Sequence, residues 1–113
     1  MSLDVDLMRT LPCSVYSANI THNLTTMAAA VELSNGLTLY QVLWRPEEHG
    51  LKFARDIADM LDEGLTTLLS DPERFKQFEP DNGWGSYEGL EKFVYQYRNA
   101  CWDNPDAEIK VSR

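Results

Sequence analysis

The chain has 113 residues, of which 43% are hydrophobic and 25% charged, and this composition predicts one folded domain rather than a disordered segment. Its formal charge of −8 repels phosphate backbones, which argues against direct nucleic-acid binding. No uncharged apolar run approaches the ~18 to 20 residues that span a bilayer, and the start MSLDVDLMRTL is acidic where a signal peptide is basic. We therefore expect a cytoplasmic protein without a membrane partner.

Both ends of the chain alternate between apolar and polar residues, as half-buried strands do. The alternation covers Leu3–Leu7 and Ala107–Arg113. Aspartates lie on the outward face of the first segment and Lys110 on that of the second, so pairing would place opposite charges side by side. We therefore predict that the two strands meet. A third strand is predicted over Val15–Ile20, with Pro12 breaking it from the first.

Helical spacing follows in the middle of the chain. A first helix is predicted from Leu24, with Asn23 as its cap and Asn35-Gly36 as its end. The stretch Leu37–Trp44 fits either a helix or a buried strand, and we favour the helix. It should end at Arg45-Pro46, because the residue before a proline resists the α-helical conformation.

The longest predicted element is an amphipathic helix over Leu51–Leu69. Its apolar face consists of Leu51, Ala54, Ile57, Ala58, Leu61, Leu65, Leu68 and Leu69. A short helical turn should start at Asp71-Pro72, and a last helix should start at about Ser86. The positions of that helix predicted to face the core are Leu90, Phe93, Val94, Tyr97 and Cys101. The predicted fold is α+β and mainly helical, with about four helices and a small sheet formed by the N- and C-terminal strands.

The loop Asn82-Gly83-Trp84-Gly85-Ser86 has the glycines of a possible phosphate-binding loop. Its glycine spacing is one residue too long for a dinucleotide-binding loop, and it lacks the Gly-Lys-Ser or Gly-Lys-Thr of a Walker loop. The favoured interpretation is structural: the Asn82-Gly83 pair turns the chain, Trp84 fills the core and Ser86 caps the last helix. The alternative is that this helix start, with Asn82 beside it, receives a carboxylate or an acetyl group. Together with Trp84, the aromatic residues expected to build the core are Tyr40, Trp44, Phe53, Phe75, Phe78, Phe93 and Tyr97.

A second polar patch is Asn19-Ile20-Thr21-His22-Asn23, whose side chains favour turns and caps. His22 is the residue in it that could carry a proton near neutral pH, although no nucleophile is paired with it in sequence. The only other histidine, His49, should be solvated, and the spacing of the two histidines predicts no metal site. Cys13 and Cys101 are expected to be free thiols. No cofactor motif or catalytic constellation is present.

Several segments of the sequence, taken together, resemble those of a known group of proteins. They are NITHNLTTMA, LYQVLWRPEE, DPERF, NGWGSYEGLEKFVYQY and PDAEIKVSR, and they resemble a group of small bacterial and phage proteins that have no assigned activity. The similarity covers most of the chain from about Asn19 onward and includes Trp44-Arg45-Pro46. The turn Ser34–Thr38 is longer than the glycine-containing turn that such sequences often have. The resemblance implies a bacterial or phage setting and no particular mechanism.

Three functions remain open at this point. The first is an acidic, phage-associated accessory domain, not an enzyme, that binds a protein partner or forms a homodimer. The second is a binder of a small polar ligand, or an enzyme, in which His22 and Asn23 of one turn meet Asn82, Trp84 and Ser86 of the other. The third is an acidic mimic of nucleic acid.

Overall fold

The computed structural model describes residues 2–10 and 13–113. Its strands are β1 (Ser2–Thr10), β2 (Cys13–Thr21) and β3 (Glu108–Ser112). The five α-helices of the described chain are α1 (Thr25–Ala29), α2 (Leu39–Trp44), α3 (Ala54–Ser70), α4 (Pro72–Lys76) and α5 (Tyr87–Asp103). Short 3₁₀ helices over His22–Leu24 and Pro46–His49 precede α1 and follow α2. The fold is α+β as predicted, with five helices in place of about four.

The sheet is antiparallel with strand order β2-β1-β3, so that β1 lies in the middle. The predicted meeting of the two terminal strands is confirmed, and the register places Lys110 opposite Asp6. Lys110 Nζ also lies 3.2 Å from Glu108 Oε1 on its own strand. The third predicted strand is present as β2, which completes the sheet. The predicted break at Pro12 lies outside the described residues.

The inner face of the sheet packs against α5. Leu3, Val5 and Leu7 of β1 are fully buried, and each such burial stabilises the fold by ~1.5 to 3 kcal/mol. From β2, the ring of Tyr16 stacks on Tyr97 of α5 with 5.9 Å between the ring centroids. Burial raises the pKa of Tyr97 well above its ordinary value. The predicted core face of α5 is confirmed, since all five of its positions are buried.

The helix α2 is present as predicted and begins with a capping box. Thr38 Oγ1 accepts the N–H of Gln41, and the Gln41 side chain accepts the N–H of Thr38 at 2.9 Å. The helix ends at Trp44, before Arg45-Pro46, as the proline predicts. A Cβ at Gly64 of α3 would lie 2.9 Å from a Leu39 methyl group, so Gly64 allows α2 and α3 to approach closely.

The first helix begins within one residue of its predicted start at Leu24, but its predicted cap and its predicted end are wrong. Asn23 is not its cap, because the hydroxyl of Thr21 accepts the Asn23 N–H at 3.2 Å and starts a 3₁₀ turn instead. The helix α1 then ends at Ala29, well before the predicted stop at Asn35-Gly36. The chain that follows folds back on itself through an isolated bridge between Glu32 and Thr38. That bridge uses backbone groups that a longer helix would have needed.

The long helix α3 begins at Ala54 and not at the predicted Leu51, because Asp56 accepts the N–H groups of Lys52 and Phe53 and starts the helix there. Leu51 therefore lies before the helix, and one further position of the predicted apolar face also differs. Leu69 is 51% exposed, whereas its neighbour Leu68 is fully buried. Consecutive helical residues point about 100° apart, so the narrow face of α3 at its last turn accommodates only one of the two. The predicted caps of the next helices are both formed: Asp71 accepts the N–H of Arg74, and Ser86 Oγ accepts the N–H of Gly89 at 3.0 Å.

Candidate functional site: the Trp84 cleft

The two polar turns of the sequence lie against each other. Gly85, in the loop before α5, has a φ of +121°, which disfavours any residue with a side chain. A Cβ at this position would lie 3.0 Å from Thr21 Cγ2 and 3.0 Å from Leu24 Cγ. The backbone of the second turn therefore contacts the side chains of the first, a proximity that the sequence left open.

A cleft of about 520 Å³ lies between the two turns. It is lined by Ser2, Asn19, Thr21, Asn23 and Trp84. Trp84 is 70% exposed, so the prediction that it fills the core is wrong. Gly85, which has no side chain, lies close to the first turn, and the indole that precedes it stays on the surface beside the cleft. We call this site the Trp84 cleft.

The polar side chains of the Trp84 cleft are partly held by one another. Asn19 Nδ2 donates to Ser2 Oγ and to Asp4 Oδ1, each at 2.8 Å. These two bonds use both amide hydrogens of Asn19 and leave its carbonyl oxygen as an acceptor. Thr21 Oγ1 accepts the Asn23 N–H, so its own hydroxyl hydrogen can be donated elsewhere. Within the part of the chain that the structure describes, the Asn23 side chain makes no hydrogen bond.

His22 is in the first turn but does not line the Trp84 cleft. Its ring packs edge-on against Trp44 with 6.3 Å between the centroids. Its Nε2 is buried and has no hydrogen-bond partner among the described residues. The structure thus brings Asn23 and Trp84 together and places His22 outside the cleft, with its ring against Trp44.

Asn82 and Ser86 are engaged in holding their own loop. Asn82 Oδ1 accepts the Trp84 N–H at 2.9 Å, and Ser86 caps α5 as described above. The Glu79 carboxylate accepts the N–H of Tyr87 at 2.8 Å. The N-terminus of α5 already receives a carboxylate from this chain, so the hypothesis that it receives one from a ligand gains no support from the geometry.

Three lining residues were absent from the predicted site. Asn19 and Thr21 belong to the polar patch and occupy alternate positions of β2, whereas Asn23 lies in the 3₁₀ turn that follows it. Alternate positions of a strand share one face, and this spacing was the available signal. Ser2 gave no local signal, because it joins the site only through its pairing with Thr21 in the register of β1 and β2.

A second surface of possible functional significance lies on the exposed side of α5. Tyr95 and Trp102 are each 50% exposed, and the guanidinium of Arg98 lies between them, 5.1 Å from the ring centroid of Tyr95 and 4.4 Å from that of Trp102. Arg98 Nη1 also donates to Asp62 Oδ1 at 3.0 Å. Stacking and the ion pair together hold this side chain in one position. We call the three residues the α5 aromatic face.

Neither a cluster of metal-ligating side chains nor a membrane-spanning helix is formed by the described residues. Over residues 2–10 and 13–113, no group of three or more His, Cys, Asp or Glu side chains could hold a metal ion. In the same part of the chain, no helix is both long and apolar enough to cross a membrane. Cys101 is a free thiol, and burial raises its pKa to about 12, which suppresses the reactive thiolate.

Comparison with protein-family models, with curated proteins and with solved structures gives no match to this chain.

Proposed function

We propose that this protein binds a small neutral ligand in the Trp84 cleft. The observation that carries the proposal is the exposed indole of Trp84 beside uncharged polar side chains. An exposed tryptophan offers a large flat apolar surface, whose contact with a ligand removes apolar area from water. Hydroxyl and amide groups around such a surface fix the orientation of what binds there.

The charge around the cleft favours a neutral ligand. The five lining side chains are uncharged, and the Asp4 carboxylate lies directly behind Asn19. With a formal charge of −8 on the chain, a phosphate or carboxylate ligand would meet an unfavourable potential. A saccharide or an unphosphorylated nucleoside has the required chemistry, because its ring stacks on the indole while its hydroxyl or amide groups bond to Asn23 and Thr21.

The test is an NMR titration of the isotope-labelled protein with methyl β-glucoside, N-acetylglucosamine and adenosine. The indole N–H signal of Trp84, assigned with a Trp84→Phe variant, reports the cleft directly. We expect a saturable shift of this signal with at least one probe. Stacking on an aromatic side chain is worth ~1 to 3 kcal/mol, so Trp84→Ala should weaken binding about 5- to 150-fold.

Trp102 provides the matched control, because it is a half-exposed tryptophan outside the cleft. Trp102→Ala should leave the affinity within about twofold of the wild type. Asn23→Ala should weaken binding while Trp84 stays in place, since it removes polar contacts only. The proposal fails if no probe shifts the Trp84 signal, or if Trp102→Ala and Trp84→Ala reduce binding equally.

The α5 aromatic face supports a second proposed role, that of an accessory domain binding a protein partner. Tryptophan, tyrosine and arginine are the residues most enriched at the energetic centres of interfaces, and Arg98 is already held between the two rings. Ordering a long side chain on binding costs ~0.5 to 1.5 kcal/mol, and much of that cost is avoided when the side chain is held beforehand.

The partner that suits the α5 aromatic face is a positively charged protein surface. Asp62 is already paired with Arg98, but the chain as a whole carries excess negative charge, which favours a basic partner and disfavours a second copy of itself. The affinity of a purified basic partner should fall at least tenfold in Trp102→Ala and remain unchanged in Trp84→Ala. A homodimer in sedimentation velocity that Trp102→Ala dissociates would replace the basic partner with a second copy.

A further inference from the structure

A separate groove runs along the outer edge of the sheet, beside β3. Its volume is about 580 Å³, within the range of ~300 to 1,000 Å³ for ligand-binding pockets. One wall is β3, and the other is the segment from Pro46 to Lys52. Leu51, Ile109 and Val111 supply its apolar surface. We call this site the β3 groove.

The two walls of the β3 groove are joined at both ends and separate between them. At one end the Ile109 N–H donates to the Lys52 carbonyl at 2.8 Å. At the other end Arg113 Nη1 donates to the Trp44 carbonyl at 2.7 Å and to Glu47 Oε1 at 2.8 Å. Between these two attachments the segment does not pair with the strand, and the edge of the sheet stays open.

The open part of the edge exposes backbone hydrogen-bonding groups. The Ile109 N–H points away from β1, because it bonds to Lys52 on the other side. Backbone groups of a strand alternate in direction, so those of Val111, two residues further, also point away from β1 and into the groove. In the register of β1 and β3, Val111 lies opposite Val5. By the same alternation, Val111 and Val5 exchange no backbone hydrogen bonds.

The charge of the β3 groove is opposite to that of the chain. Its lining includes Lys52, Lys110 and Arg113 but only two acidic residues, Glu47 and Glu108. It therefore carries one net positive charge on a chain whose formal charge is −8. Lys110 and Arg113 are paired with Glu108 and Glu47, so Lys52 supplies the excess charge. Relative to the remaining acidic surface, the groove therefore favours an acidic ligand.

We propose that the β3 groove binds an extended acidic peptide segment of another protein, which adds as a further strand to the edge of β3. Main-chain bonds to Val111 would hold the peptide, as in other cases of strand addition to a sheet edge. Acidic side chains of the peptide would lie against Lys110 and Lys52. A second copy of this chain fits less well, because it would bring its own Lys110 and Arg113 against the same cations.

The probe is a fluorescein-labelled heptapeptide of alternating valine and glutamate, compared with its valine–lysine counterpart by fluorescence anisotropy at low salt. The overall charge of −8 favours the lysine peptide, whereas the β3 groove favours the glutamate peptide. We expect the glutamate peptide to bind at least tenfold more tightly. Preference for the lysine peptide, or no binding of either, would overturn the proposal.

Two variants with the same change in net charge locate the binding. Lys110→Glu alters the groove, and Lys92→Glu alters an exposed position of α5. The glutamate peptide should bind at least fivefold more weakly to Lys110→Glu and within twofold of wild type to Lys92→Glu, with urea unfolding confirming that both fold. Equal losses would mean that only the overall field is sensed, which contradicts the proposal.

Val111→Pro tests the role of the backbone. Proline removes the N–H that points into the groove, and it spares the bonds between β1 and β3 because Val111 makes none of them. The glutamate peptide should lose at least tenfold in affinity while circular dichroism stays unchanged. If this variant does not fold, the lysine pair still decides the question. A dimer in sedimentation velocity that Val111→Pro dissociates would assign the edge to a second copy and overturn the peptide proposal.

Discussion

Replacing Gly85 with alanine should both destabilise the fold and disrupt the Trp84 cleft. The φ of +121° is strained for any residue with a Cβ, and such strain costs ~1 to 3 kcal/mol. The new methyl group would also meet Thr21 and Leu24 at 3.0 Å, and overpacking of this kind costs a further ~1 to 3 kcal/mol. The expected total is about 2 to 6 kcal/mol, a large part of the ~5 to 15 kcal/mol that stabilises a typical domain.

Gly83→Ala separates the two contributions. Gly83 also has a positive φ, +76°, but a Cβ there would have no neighbour within 4 Å. Its substitution should cost only the backbone strain, ~1 to 2 kcal/mol. Urea unfolding followed by circular dichroism measures both free energies, and at an m-value of ~1 to 3 kcal/mol/M the two midpoints should be clearly separated. Equal losses of stability in the two variants would refute the contact between the turns.

Three further predictions concern stability and reactivity. Asp56 accepts two backbone N–H bonds at the start of α3, which lower the pKa of its carboxyl below 3.8. Its contribution to stability is therefore complete above that pH and is lost as the pH falls through the lowered pKa. Asp56→Ala should cost ~0.5 to 2 kcal/mol of unfolding free energy at pH 7 and less at pH 2.5, as measured by urea unfolding. Tyr87 Oη donates to the Leu68 carbonyl at 2.5 Å, so Tyr87→Phe, measured in the same way, should cost ~1 to 3 kcal/mol by leaving that carbonyl unpaired. Burial raises the pKa of the Cys101 thiol to about 12. In a Cys13→Ser background at pH 8, this thiol should therefore react with a disulfide reagent about three orders of magnitude more slowly in the folded protein than in the protein unfolded by urea. Comparable rates in the two states would contradict the burial of Cys101.

Much of the secondary structure could be predicted because its signals are local. Alternation at both chain ends and the 3.6-residue period of α3 and α5 come directly from which side chains must avoid water. Proline and capping signals also placed the C-terminal end of α2 and the starts of α4 and α5 correctly, whereas α2 begins at Leu39 and not at Leu37. These features depend on a few neighbouring residues and need no knowledge of the tertiary fold.

The errors arose where one residue of a turn takes the role that the sequence pattern favours for its neighbour. Asn23 is a good cap by composition, yet the hydroxyl of Thr21 takes its N–H and starts a different turn. Trp84 is hydrophobic enough to be buried, yet Gly85 makes the close contact and leaves the indole outside. The first outcome is decided within one turn, and the second depends on how the two turns meet.

The candidate site was predicted in part. Asn23 and Trp84 lie in one cleft, whereas His22, Asn82 and Ser86 serve the fold around it. The β3 groove left no sequence signal, because it exists only where the segment before α3 diverges from a strand more than fifty residues away. Its open backbone groups became identifiable once the register of β3 was known.

The pairing of β1 with β3 also limits the order in which this protein can form during synthesis. β1 is translated first, but one of its two neighbours, β3, is made about a hundred residues later. At a translation rate of ~5 to 20 residues per second, that edge of β1 stays unpaired for ~5 to 20 seconds. Until then an apolar strand has an unpaired edge, which is open to pairing with other chains. The interval before β3 emerges is therefore the time when this edge of the nascent chain is most exposed to aggregation.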